Sequence, residues 1–187
     1  MNYVRGFAPW LCYAVLSAFD WRLGLSVAAL ASLILLVTHL RGGTGLDILG
    51  TATTTFFVVM ALVSVADPTS VLQNWTTALS NGVLAAVALT SLIVRRPFTL
   101  PISRTQVPAR FWHTPRFIHV NMVITGIWAA AFTASAIASA LVIAFAHSAT
   151  IPLVTIQILA FVIPLVAGSR YATHAKAAAD RLIAETA

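Results

Sequence analysis

Five stretches of the chain are almost purely apolar, at residues 7–19, 23–40, 48–66, 76–94 and 118–145, and a sixth carries Pro152 in its first turn and ends at Gly168. A helix needs about 20 apolar residues to cross a hydrocarbon core about 30 Å thick, so each run reads as a membrane-crossing helix. The run 7–19 is short for this and needs Tyr3 and Val4, or local thinning of the bilayer, to cross. The run 118–145 is longer than a straight span requires, so its first turns extend below the bilayer. The pattern predicts an all-α polytopic membrane protein: a six-helix transmembrane domain over 1–169 and a cytoplasmic tail helix over 170–187.

The polar positions fall between the runs. Asp20, Trp21 and Arg22 make a connection so short that the first two helices form a tight antiparallel hairpin. Arg41, Gly42 and Gly43 end the second run, and Asp47 sits in the first turn of the third, where a carboxylate suits the positive end of a helix dipole. Asp67, Pro68, Thr69 and Ser70 close the third run, and Gln73, Asn74 and Trp75 precede the fourth. His147 lies in a brief turn before the sixth. The long connection, 95–117, holds five of the chain's eleven Lys and Arg residues and four of its eight prolines.

Charge sets the orientation. Counted outside the runs, basic residues alternate between crowded and empty connections, with 95–117 the most crowded and Arg22 the one exception. Basic loops stay in the cytoplasm, which places both termini there. Only 9% of residues are charged and the mean hydropathy is +0.92, against about 25% charged residues in soluble domains. The net charge of +6 belongs to run ends and not to a separate basic face, which excludes nucleic acid as a partner. Cys12 is the single cysteine, so no intrachain disulfide exists. Ser17-Ala18-Phe19 is a poor cleavage site, and a retained first helix is expected.

Within 95–117, Arg95, Arg96, Arg104, Arg110 and Arg116 stand among Phe98, Phe111 and Trp112. Phe98, Leu100 and Ile102 alternate with Thr99, Pro101 and Ser103, the pattern of an extended segment with one apolar edge on the membrane. Pro108 then opens a short interfacial helix ended by Pro115. Arginines beside a headgroup layer bind anionic lipid, and Arg and Trp together also suit a docking surface for a membrane-protein partner. Small residues Ala129, Ala130, Ala134, Ser135, Ala138 and Ser139 let the fifth helix pack closely, within the bundle or across a homo-oligomer.

Chemistry is sparse. There is no HExxH, no CxxC and no Cys–His pair, so no zinc site is expected. His39 and His119, on different helices, are the only pair suited to clamp a haem or metal, but they sit at helix ends and not in an apolar core. Ser135 and Ser139 have no ionisable neighbour at helical spacing, so no enzyme and no cofactor is expected. The polar residues inside the runs form two groups by depth: Asn81 with Thr155 and Gln157 in the outer half, and Asn121 with Thr125 in the inner half. Amides in lipid need partners, so these clusters act as interhelical glue, or else line a pathway for a small solute.

Several residues together resemble the intracellular septation protein A family of bacterial inner-membrane proteins. They are Asp20 between the first two runs, the acidic turn at Asp67 before Trp75, Ser91 with Arg95, Arg96 and Pro97, and Trp112, Asn121, Trp128 and Phe132 around the long connection and the helix after it. Thr105 and Gln106 stand where that family has an acidic residue, and only arginines stand where it has several lysines. The resemblance implies a multi-pass protein of a bacterial cytoplasmic (inner) membrane, a non-enzymatic scaffold of the cell envelope and division that works through protein and anionic-lipid contacts. The alternative is a small transporter or channel built on Asn81, Asn121, Thr125 and Gln157.

Overall fold

The structure, a computed structural model, describes residues 2–17, 19–42, 48–145 and 150–186, and the side chains among these except those of 2–5, 150 and 178–186. Asp47 and His147 lie outside the described residues. Among the described residues the chain forms seven α-helices and one 3-10 helix and no strand. They are α1 (Asn2–Leu16), α2 (Trp21–Arg41), α3 (Ile48–Ala66), α4 (Leu72–Ile93), α5 (Leu100–Arg104), the 3-10 turn Ala109–Phe111, α6 (Pro115–Phe145) and α7 (Thr150–Thr186).

Five of these helices, α2, α3, α4, α6 and the 151–177 part of α7, are long and apolar enough to cross a membrane. That is the make-up of a polytopic membrane protein. Helix α1 has 15 residues, about 22 Å at helical rise, and is apolar from Gly6 to Leu16. The surface is turned inside out relative to a soluble protein: Leu30, Ile34, Leu62, Val65, Leu141, Ile158 and Ile163 are all exposed. In water such a surface would drive association; in hydrocarbon it costs nothing.

Helix α4 is the centre of the bundle, with 50% of its most apolar window buried against 17% for that of α7 at the edge. It packs chiefly on α6, which in turn packs on α7, while α2 packs on α1 and α3. The buried faces are built from aromatics. Trp10 lies 4.6 Å from Phe57 and stacks on Phe56 at 5.3 Å, and Phe7 stacks on Trp128 at 5.0 Å. Phe132 and Phe161 complete the second cluster. The two clusters draw α1 against α3 on one side and against α6 and α7 on the other.

Helix ends follow their local chemistry. Asp20 caps α2 by accepting a hydrogen bond from the Leu23 N–H at 2.7 Å, so the helix starts at Trp21 and takes in Trp21 and Arg22, which the hydropathy pattern left outside. A Cβ on Gly24 would lie 2.8 Å from the Ser17 backbone nitrogen, and only glycine lets the end of α1 approach so closely. Helix α4 begins at Leu72, a turn earlier than the apolar run at Thr76. Of its added residues, Gln73 and Asn74 are polar and exposed, while Leu72 and Trp75 are apolar and half-buried.

Three expectations are corrected. The segment around Phe98, Leu100 and Ile102 is not extended, because Leu100–Arg104 is helical with Pro101 tolerated near its start. Pro115 does not end an interfacial helix. It begins α6, at the position where a proline's missing N–H has no helical partner to lose. The sixth helix also runs unbroken past Gly168 as part of the 37 residues of α7. Gly168 is there for packing: a Cβ would lie 3.3 Å from Ile124 Cγ2 of α6.

Candidate functional site

The basic end of the bundle is built on the way α4 stops. Arg95 has φ 53°, the left-handed conformation in which glycine is the usual residue. Its N–H donates to the Leu92 carbonyl at 3.0 Å, and the Arg96 N–H reaches back to Ser91 O at 2.9 Å. This pair of bonds is a Schellman closure, and it reverses the chain so that Pro97, Phe98 and Thr99 enter the bundle and are buried. The Ser91 hydroxyl accepts from the Phe98 N–H at 3.3 Å. Phe98 then meets Trp128 edge to face at 6.5 Å.

Behind Phe98 lies a hydroxyl–amide network. Thr99 Oγ1 is 3.0 Å from Asn121 Oδ1 and 2.9 Å from Thr125 Oγ1. The Ser103 hydroxyl donates to the same Asn121 Oδ1 at 2.6 Å, and Asn121 Nδ2 donates to Phe117 O at 2.9 Å. Thr99, Asn121 and Thr125 are at most 1% exposed. Asn121 and Thr125 are thus brought together by a third residue, Thr99, which the sequence reading left out of this cluster along with Ser103. Their signal was masked by the alternation of Phe98, Leu100 and Ile102.

The arginines surround this plug and face outward. Arg104 lies over the Trp112 ring at 5.4 Å and Arg110 over Phe111 at 4.7 Å. Cations over aromatic faces are held there without losing their charge. The indole of Trp112 is fixed by its N–H donating to Val107 O at 2.8 Å. Arg116 donates to the Ala175 carbonyl at 2.8 Å, which ties the start of α6 to the tail of α7. Together with Arg41, Arg95, Arg96, Arg170 and Lys176, all exposed, these give eight cationic side chains at this end. The two carboxylates whose side chains are described, Asp20 and Asp67, are both at the opposite end, along with Arg22.

In the other half of the bundle Asn81 Nδ2 donates to Gln157 Oε1 at 2.9 Å and to Thr77 O at 3.0 Å. Thr155 takes no part, since its hydroxyl donates to Ile151 O within α7. Thr76 accepts from the Trp21 indole at 3.2 Å. Two buried polar atoms among the described residues have no partner, Asn81 Oδ1 and Ser139 Oγ. Trp128, Phe132 and Leu84, all buried, lie along α6 and α4 between the Asn81 level and the Asn121 network. His39, His113, His119 and His174 are exposed, and among the described residues no three His, Cys, Asp or Glu side chains gather as a metal-ion site would require. No family model, curated protein or solved structure matches the chain.

Proposed function

We propose that the protein is a non-enzymatic scaffold of a bacterial cytoplasmic membrane, with six spans, both termini inside, and its basic end on anionic lipid and on a membrane-protein partner or a second copy. The observation that carries this is the crowding of cations: among the described side chains, eight exposed Lys and Arg stand at one end and Arg22 at the other. Near an anionic surface each such residue contributes about 1 kcal/mol. Aromatic stacking holds Arg104 and Arg110 in place, so less freedom is lost when a phosphate or carboxylate arrives. The association with envelope and division rests on the residue pattern that resembles the septation protein A family.

The test is purification of the full-length protein from its own membrane in a mild detergent, followed by native mass spectrometry. The expected particle retains anionic phospholipid together with a partner or a second copy. Arg104→Gln with Arg110→Gln lowers that retention. A bare monomer with a small-molecule adduct overturns the reading.

One observation favours the transporter alternative, the unpaired Asn81 Oδ1 and Ser139 Oγ, because polar atoms at that depth need a partner such as a solute or water. Against it stands the aromatic block of Trp128 and Phe132. Solute flux in liposomes that disappears in Asn121→Leu or Gln157→Leu would favour the carrier; a scaffold has no flux to lose.

A further inference from the structure

A cleft of about 400 Å³ opens on the outer flank of the α6–α7 seam, lined by Ile127, Ala130, Ala131, Ala134 and Ser135 of α6 and by Leu159 and Ile163 of α7. Small residues on one side and branched aliphatics on the other leave a furrow between two otherwise packed helices. Ser135 is 8% exposed, the only polar side chain on the wall, and no described residue hydrogen-bonds its hydroxyl.

The helical repeat connects this furrow to the cations. On α6, Arg116, Val120, Ile127 and Ala134 recur at spacings of four, seven and seven and so lie on one face. On α7, Leu159, Ile163, Val166 and Arg170 follow at four, three and four and also share one face. Arg170 therefore stands directly below the cleft, and Arg116 stands farther out on the same flank, already leaning across the seam to Ala175. Along α7, Arg170 is about 10 Å from Ile163 and about 16 Å from Leu159. Half of a hydrocarbon core is about 15 Å, so a phosphate at Arg170 puts the far half of an acyl chain of the same leaflet at the level of the cleft.

We propose that the α6–α7 seam is a binding site for one anionic phospholipid, with its phosphate on Arg170, its headgroup reaching toward Arg116 and one acyl chain laid in the Ala-lined cleft. This rests on the anionic-lipid reading above and narrows it to one site. A second copy of the chain is a poorer occupant, since α6 carries no Asp or Glu and α7 carries Asp180 and Glu185 only ten or more residues beyond Arg170.

The full-length protein in detergent is titrated with phosphatidylglycerol and, separately, with phosphatidylcholine of the same chains, and bound lipid is counted by native mass spectrometry. The expected result is one saturable phosphatidylglycerol bound more tightly than phosphatidylcholine. Arg170→Gln weakens it about fivefold, and Ala131→Leu, which fills the cleft, removes the site, while Arg22→Gln, at the opposite end of the bundle, leaves it in place. Thermal melts check that the filled variant folds, and Ala134→Leu replaces it if it does not. Free glycerophosphoglycerol, which has the headgroup and no chains, is expected not to compete.

Undiminished binding to a folded cleft-filled variant overturns the site, as does competition by the headgroup alone. A phosphatidylglycerol preference that vanishes only in the Arg104/Arg110 variant overturns the cleft but keeps the lipid-binding scaffold. No preference for phosphatidylglycerol in the wild type overturns both.

Discussion

At the scale of single residues, two asparagines of equal burial do different work. Asn121 accepts from Thr99 and Ser103 and donates to Phe117 O. Replacing it with Leu strands the Ser103 hydroxyl, at a cost of about 1–3 kcal/mol, and removes one partner of Thr99, which keeps Thr125 Oγ1 and the Asn121 backbone carbonyl. Asn81 makes one bond to another helix and leaves Oδ1 unpaired, so Asn81→Leu removes an existing defect as well as a bond. Thermal melts in detergent are expected to show Asn121→Leu losing clearly more stability than Asn81→Leu; equal losses would mean that the Asn121 network is not the stronger joint. At Arg95 the left-handed backbone costs a side-chain-bearing residue about 1–2 kcal/mol. Arg95→Gly is therefore expected to raise the melting temperature, while removing one cation from the basic end.

At the scale of elements, the hairpin of α1 and α2 depends on a contact with no slack. Gly24→Ala places a Cβ 2.8 Å from the Ser17 backbone nitrogen, and backbone there has nowhere to move without opening the hairpin. A loss of about 1–3 kcal/mol is expected, and an unchanged melt would show that the hairpin relaxes freely. The elements were legible in unequal degree. The run at 48–66 coincides with α3, because a helix in hydrocarbon must be apolar all round and ends where polar residues begin. The segment after Pro97 was not legible, because a period-two alternation over five residues fits an extended strip and a short helical turn alike. What decided between them was tertiary: the Ser91 hydroxyl and Asn121, far off in sequence, supply partners that pull Phe98 and Thr99 inward.

At the scale of the whole molecule, the sequence displayed the membrane class and the crowding of arginine in one connection, since both are counts along the chain. It placed Asn81 with Gln157 by depth alone, but it could not show that Thr155 would turn away to its own helix. Nor could it show that Arg116 reaches the α7 tail, a bond between residues whose separation only folding closes. Membrane retention of the basic end should be electrostatic. Adsorption of the purified protein to anionic vesicles is expected to fall as salt is raised through the range where the Debye length shrinks below about 10 Å, and a salt-independent signal would point to apolar contact instead.

Helix α7 runs 37 residues, about 55 Å, which is far more than a bilayer's core. It is pinned at Gln157 by Asn81 and at Ala175 by Arg116, with Pro164 between. A proline there leaves the Ala160 carbonyl without its helical donor, so this is where α7, continuous throughout, is expected to flex most readily. Load applied to the tail is expected to be taken up there, leaving the upper arm its bond to Asn81. Welding the joint with Pro164→Ala should make spin labels on the two arms move as one.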